Sequence, residues 1–271
     1  MSKRVDEQMS DARVITLLSD FGGHDAYVGV MKGVILGIAP RARLVDLCHE
    51  VPPQQITVGA LQLWSAVEYF PAGTVHLAVV DPGVGSSRDP VVAVTERGCL
   101  VGPDNGLLYP AAERLGLLEV RRLAEPRYFG PAVSRTFHGR DVFAPVAGHL
   151  AAGVAAAEMG PPLPALAPLR LPEPRREGAS IRGEVLYVDH FGNLITNIPA
   201  SALDAFPASK LSVRIGEVSL SPLASAYADV PDGSPLAIID SWGLLEVAVR
   251  GGSAAGELCA ARGTGVSVAI E

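Results

Sequence analysis

Two short, mainly apolar runs constrain what this chain can fold into. Val14 to Leu18 stops at Ser19-Asp20-Phe21-Gly22-Gly23, and Val75 to Val80 stops at Asp81-Pro82-Gly83-Val84-Gly85. A buried strand breaking into a glycine-rich polar loop has this signature. Segments of helical period lie between and after them. Tyr27 to Ile38 carries apolar and small residues at helical spacing and stops at Pro40, and residues 56–69 set Ile56, Ala60, Leu63, Trp64 and Val67 on one face. Leu44 to Leu47 predicts another strand, as do Val91 to Val94 and Leu100 to Val101, and residues 141–157 predict an Ala-rich helix. Strands alternating with helices predict an α/β fold, with a mostly parallel sheet flanked by helices and buried on both faces.

The pattern changes after residue 160. Six prolines fall between residues 161 and 178, with Arg175, Arg176 and Glu177 beside them, as in a semi-rigid linker. The expected domains are therefore 12–160 and 179–271, joined by the linker 161–178. Beyond it come short β-like runs at Ile181 to Val188, Leu211 to Ile215, Leu236 to Ile239, Leu244 to Val249 and Val266 to Ile270. Gly, Pro and Asp separate them, which predicts a small antiparallel β-barrel or sandwich. A chain of 271 residues that is 48% hydrophobic and 19% charged has enough apolar material for real cores. Residues 1–12 are expected to be a disordered polar start, without the apolar segment of a secretion signal.

The formal net charge is −7 and no Lys/Arg cluster appears, which argues against long nucleic acids as partners. No apolar run is long enough to span a bilayer, so no membrane partner is expected. Cys48, Cys99 and Cys259 are odd in number and far apart, which points to a reducing, cytoplasmic setting.

Five polar loops stand where apolar runs stop, the places where α/β sheets bind ligands. Asp20 can accept hydrogen bonds from vicinal hydroxyls such as those of a ribose, or simply form an Asx turn. In Asp81-Pro-Gly-Val-Gly-Ser-Ser-Arg88 the glycines allow close approach, and Arg88 can fold back onto Asp81 to make a rigid cation in a cleft. The loop lacks the Lys-Ser/Thr ending of a phosphate-binding P-loop. Gly102-Pro-Asp104-Asn105-Gly106 reads as a turn more readily than as a site. His138 lies between Phe137 and Gly139 just before a helix, for which Asp141 is an alternative N-cap. Asp189, Phe191 and Asn193 combine charge, a ring that could stack on a base and an amide in the second domain, or simply form a tight β-turn, and Ser241-Trp242-Gly243 is a further aromatic turn of the same kind. Asp20, Asp25, His49, Asp81, Asp104 and His138 together form a conceivable metal set. The chain has no HxxxH, HxH or Cys pair, so no metal site is expected.

Together these loops resemble the S-adenosyl-L-methionine (SAM) hydrolases, or SAM hydroxide adenosyltransferases, relatives of the fluorinases and chlorinases. The matching strings are LLSDFGGHDAYVGVMKG, VDLCHEVPP, VVDPGVGSSR, GPDNGLL, TFHGRDVFAP, DHFGNLITN and DSWGLLEVAV, running from residue 17 to residue 249. The resemblance implies an N-terminal α/β domain, a C-terminal β-barrel, and a homotrimer with sites at subunit interfaces. It implies hydrolysis of SAM at C5′ to adenosine and L-methionine without a cofactor. It assigns catalysis to Asp81, Arg88 and His138. Fluorinating relatives carry a Tyr-Ser pair in place of His138-Gly139 and lack the DPGVG string, which favours water over halide here. Asp20 takes the ribose-binding place, Phe137 lines the sugar and sulfur region, Asp189 and Asn193 meet the methionine part, and Phe191 packs beside it. Ser241, Trp242 and Val249 complete the substrate-binding set, although relatives often carry Phe or Arg where Trp242 stands. The competing expectations are a halide adenosyltransferase, a non-catalytic adenosine or SAM-binding module, and a metal-dependent hydrolase.

Overall fold

The computed structural model describes residues 13–204, 206 and 210–270. The polar start at residues 1–12 lies outside the described residues. Contacts divide the chain between Leu169 and Arg170 into two compact units.

The first unit holds seven strands, β1 (Val14–Ser19), β2 (Arg43–Cys48), β3 (Thr74–Val79), β4 (Pro90–Thr95), β5 (Gly98–Pro103), β6 (Leu117–Arg122) and β7 (Pro162–Leu163). They form one sheet in the order β2-β1-β3-β5-β4-β6-β7. The β2-β1-β3-β5 stretch is parallel, and β4, β6 and β7 extend it in antiparallel fashion. The apolar runs noted in the sequence are its central strands: Ile15 to Ser19 of β1 and all of β3 are buried. Helices α1 (Tyr27–Ile38), α2 (Ile56–Ala66), α3 (Tyr109–Arg114) and α4 (Ala144–Ala151) flank the sheet. Helix α1 buries Met31 and Ile35, one turn apart, against Ile15, Leu17 and Leu77. It ends at Ile38 because Pro40 cannot continue it and pushes Ala39 out of helical conformation (ψ 74°). Helix α2 approaches the sheet closely at Gly59, where a Cβ would meet Leu107 and Val80 at 3.0 Å.

The predicted helix over residues 141–157 is shorter. Residues Gly139–Phe143 form a π-helical turn, α4 stops at Ala151, and Gly153 takes φ +101°. Ala156–Glu158 is a separate 3₁₀ turn. Strand β6 and helix α3 had no clear signal in the sequence.

The second unit holds β8 (Arg175–Glu177), β9 (Ser180–Val188), β10 (Leu194–Pro199), β11 (Leu211–Ile215), β12 (Val218–Leu220), β13 (Pro235–Ile239), β14 (Leu244–Val249) and β15 (Gly265–Ile270). The order is β12-β11-β15-β9-β10-β14-β13, with β8 on β9, and every ladder is antiparallel. Strand β9 serves both halves of this barrel-like sheet: residues 180–184 pair with β15, and Val185, Tyr187 and Val188 pair with β10. Its interior is an apolar core that includes Val185, Leu194, Val213, Leu245 and Val268. No helix among the described residues is long and apolar enough to cross a membrane.

Candidate active site

Strands β1 and β3 are neighbours, with Ser19 in register with Val79. The chain leaves β1 towards β2 on one side, and leaves β3 towards the β4–β5 hairpin on the other. Their carboxyl ends therefore lie at a topological switch point, the usual ligand position in an open α/β sheet. Asp20 and the Asp81 loop emerge there.

Arg88 folds back over its own loop onto Asp81. Its Nε donates to Asp81 Oδ1 at 3.0 Å, and Nη2 donates to Asp81 Oδ2. Nη2 also donates to His138 Nδ1 at 2.9 Å. Both charged side chains are nearly buried, with Arg88 9% and Asp81 5% exposed, so a fork-to-fork ion pair holds each in place. The guanidinium lies 5.2 Å from the Phe143 ring centroid, in cation–π range. Three of its five N–H groups are thereby used. The other two are on Nη1, which is buried and finds no hydrogen-bond partner among the described residues. Gly85 lets the loop lie this close: it has φ +76°, and a Cβ there would sit 2.5 Å from the Arg135 carbonyl oxygen.

His138 precedes the π-helical turn, a rare backbone feature that recurs at functional sites. An arginine cannot accept a hydrogen bond, so Nδ1 of His138 must be the acceptor. A neutral His138 therefore carries its proton on Nε2. Burial, and then the Arg88 cation, lower the His138 pKa below the usual histidine value, with Asp81 and Asp141 pulling the other way. Asp141 is not the N-cap of the following helix. It lies within the π-turn, 4% exposed, accepting from Ser134 N at 2.8 Å and pairing with Arg140. It thereby ties down the loop that carries Phe137. Phe21, Tyr27 and Phe137 form an aromatic trio with ring centroids 5.1 to 5.8 Å apart, Phe137 meeting the other two edge-on.

Asp20 is half-buried, and its Oδ2 accepts from Gln54 N at 2.8 Å. Gln54 has φ +64°, a conformation costing on the order of 1 kcal/mol or more in a residue with a side chain. Asp104 and Asn105 have structural partners: Asp104 accepts from Ala167 N, and Asn105 donates to the Val80 carbonyl.

The second unit carries a cavity of about 840 Å³, lined by Asp189, Phe191, Asn193, Ser241, Trp242 and Val249 among others. Two turns of the same design frame it. Asp189 Oδ1 accepts from Phe191 N and Asn193 N, and Asp240 Oδ1 accepts from Trp242 N and Leu244 N. The closing glycines, Gly192 and Gly243, have φ +84° and +77°. Asp189 Oδ2 also accepts from Asn193 Nδ2 at 3.0 Å. Phe191 is 72% exposed, and Trp242 stacks on Tyr187 at 6.0 Å and 13°. Glu246, 3% exposed, accepts from Tyr227 OH at 2.7 Å. Burial pushes its pKa up to about 7, with Asp240 and Asp189 adding to the rise and Tyr227 opposing it.

The family models for the SAM hydroxide adenosyltransferase N-terminal and C-terminal domains match residues 15–160 and 183–267. The chain belongs to the SAM hydroxide adenosyltransferase family. A Salinispora arenicola protein named (R)-S-adenosyl-L-methionine hydrolase is 42% identical over 250 residues, which is 91% of this chain and 94% of that one. A Thermus thermophilus protein of the same name is 44% identical, covering 89% of this chain and 94% of its own. Fluorinases are more distant, at 26 to 27% identity. A crystal structure from Thermotoga maritima superposes with a TM-score of 0.89 at 39% identity, covering 94% of this chain and 99% of that one.

In this SAM hydroxide adenosyltransferase the sequence grouped Asp81, Arg88 and His138, and the fold brings their side chains into contact. Asp20 stands on the adjacent strand end, while Asp189, Phe191, Asn193, Ser241, Trp242 and Val249 all line the second unit's cavity. No group of three or more His, Cys, Asp or Glu side chains among the described residues is arranged to hold a metal ion. Sequence reasoning missed Phe143 beneath Arg88, and Tyr227 and Glu246 in the cavity. Phe143 lay inside the quoted string TFHGRDVFAP and a turn away from His138, a detectable signal. Tyr227 opens a short 3₁₀ turn, Tyr227–Asp229, that no pattern in the sequence marks.

Proposed function

We propose that the protein hydrolyses SAM at C5′ to adenosine and L-methionine. The observation that carries this is Arg88, whose guanidinium is locked by Asp81 and His138 with Nη1 buried and unspent. A module that only bound a nucleoside would have no need to hold an arginine fork and a histidine N–H donor side by side.

The sulfonium is a good leaving group, so the difficulty lies with the nucleophile. The water gives up one proton to solvent, and the resulting hydroxide attacks C5′ in line with the C5′–S bond. The bond's electrons return to sulfur, giving a neutral thioether. Arg88 Nη1 and His138 Nε2 are two N–H donors that stabilise the hydroxide and leave it a lone pair for the attack. His138 acts here as a donor that orients the water rather than as its base, because Arg88 already occupies its lone pair. Asp81 fixes Arg88, and closure around the substrate strengthens these interactions.

Asp20 is assigned to the ribose, Phe137 to the sugar and sulfur region, and Asp189 and Asn193 to the methionine part. Phe191, Ser241, Trp242 and Val249 are assigned to the walls. The homotrimer and the cytoplasmic setting belong to the same proposal. Light scattering should give three chains per particle, and Cys48, Cys99 and Cys259 are all free.

The test is incubation with SAM in halide-free buffer made with ¹⁸O water, followed by mass spectrometry. Adenosine labelled at O5′ with equimolar methionine is expected. A 5′-chloro product on adding chloride would move the assignment to a halide enzyme. Intact SAM with tight adenosine binding would make the protein a binding module.

A further inference from the structure

Behind Asp20 runs a chain of polar side chains that the mechanism above does not use. Lys32 Nζ donates to Asp46 Oδ2 at 2.5 Å, and His49 Nε2 meets Asp46 Oδ1 at 3.0 Å. His49 Nδ1 meets Ser19 Oγ at 2.7 Å. A carboxylate only accepts, so in neutral His49 Nε2 carries the proton and Nδ1 accepts from the Ser19 hydroxyl. Ser19 Oγ in turn accepts from Phe21 N at 3.4 Å, and the His49 carbonyl accepts from Gly22 N at 2.8 Å.

A serine, a histidine and a carboxylate in sequence suggest a nucleophilic triad. Burial rules that out: Ser19 is 1% exposed, inside the end of β1. The chain ends on backbone instead. Its contacts hold Ser19, Phe21 and Gly22, the residues on both sides of Asp20. The carboxylate of Asp20 is steadied separately by Gln54 N, from the connection after β2.

We propose that His49 is a positioning residue for Asp20, fixing through the Ser19 hydroxyl and its own carbonyl the loop that aims the Asp20 carboxylate at the substrate's ribose. This rests on the ribose role assigned to Asp20. The backbone carbonyl survives any substitution, so only the side-chain half of the clamp is removable. Losing one such hydrogen bond should weaken binding by about tenfold.

The test measures SAM turnover and adenosine affinity by calorimetry for the full-length protein. His49→Ala should raise KM for SAM and Kd for adenosine about tenfold, the loss falling on KM more than on kcat. His49→Asn should recover most of it, since its carboxamide oxygen can take the place of Nδ1. In the double variant with Asp20→Ala, His49→Ala should add almost nothing, because both act through one group. Should His49→Ala fail to fold, Ser19→Ala carries the same comparison, with the same rise in KM and Kd expected and His49→Asn as its near-wild-type control. Wild-type KM and Kd in a folded His49→Ala protein, or losses fully additive with Asp20→Ala, overturn the proposal. If the wild-type protein neither hydrolyses SAM nor binds adenosine, the functional reading itself fails and takes this inference with it. An active wild type indifferent to His49 removes the inference alone.

Discussion

Replacing Arg88 with lysine separates the charge at the site from the shape of the group that carries it. Lysine keeps a cation beside Asp81 but offers three N–H groups from one point instead of a planar fork of five. The structure fixes what is lost. Two of the five bond Asp81, one bonds His138, and the two on Nη1, without a partner among the described residues, are the pair proposed to meet the nucleophile. An ammonium that satisfies Asp81 and His138 has little left to place at the Nη1 position. Losing a preorganised donor to developing negative charge costs about 10²–10³-fold in kcat, or about 3–4 kcal/mol of barrier. Arg88→Lys should therefore lose that much in turnover while SAM affinity by calorimetry stays within a few-fold. Its Tm should stay near wild type, because Asp81 keeps a countercharge. Arg88→Ala should lose the same activity but also fold less stably. It strands a carboxylate whose side chain is only 5% exposed, a penalty of about 3–5 kcal/mol and roughly 10 °C in Tm. Turnover of Arg88→Lys within threefold of wild type, with SAM bound, would refute the donor role of Nη1.

Three other outcomes follow from the geometry. Protonating His138 breaks its bond from Arg88 and sets two cations face to face, so kcat should fall on the acid side with an apparent pKa below the usual histidine value. His138→Asn, which keeps an acceptor for Arg88 but does not titrate, should lose that acid limb from the pH–rate profile. Asp20→Ala should weaken adenosine binding in calorimetry by ten- to a hundredfold, an order-of-magnitude figure for a charge-assisted hydrogen bond; undiminished affinity rules out its ribose role. His76 is buried beside Thr16 Oγ1 at 2.8 Å, and burial lowers its pKa from 6.5 to about 4. The unfolded chain binds that proton more readily, so stability should fall as pH drops from 6.5 to 4, by on the order of 3 kcal/mol in all. Urea unfolding at a series of pH values measures this, and His76→Gln should flatten the slope by close to one proton.

The central strands were legible because they are buried on both faces and mainly apolar, with only Thr16, Ser19, Thr74 and His76 interrupting the runs. Strand β6 was not, since only Val120 of Leu117–Arg122 is buried and its charged residues hide the strand period. The over-long helix prediction came from alanines, which favour a helix without saying where it stops; Gly153 in a left-handed conformation decides that. For the site, the residues alone suggested that Arg88 could fold back onto Asp81 across a glycine-rich loop, and it was the family resemblance that added His138 to them. Partners that depend on tertiary packing were invisible. Glu246 reads as an ordinary strand residue until β14 carries it inward against Tyr227. His49 reads as one member of a scattered metal set until the sheet places it against Ser19.

The twin turns at Asp189 and Asp240 spend their Oδ1 atoms on their own backbones, and their glycines supply the reversal. The residues at the tips, Phe191 and Trp242, contribute no side-chain atom to those hydrogen bonds. Scaffold and contact surface are thus written in different letters of the same four-residue word. On the proposed assignment of Phe191 and Trp242 to the walls around the substrate, scope in this half of the molecule can drift, or be redesigned, by exchanging tip residues alone, while the Asp–Gly framework of the turns is kept.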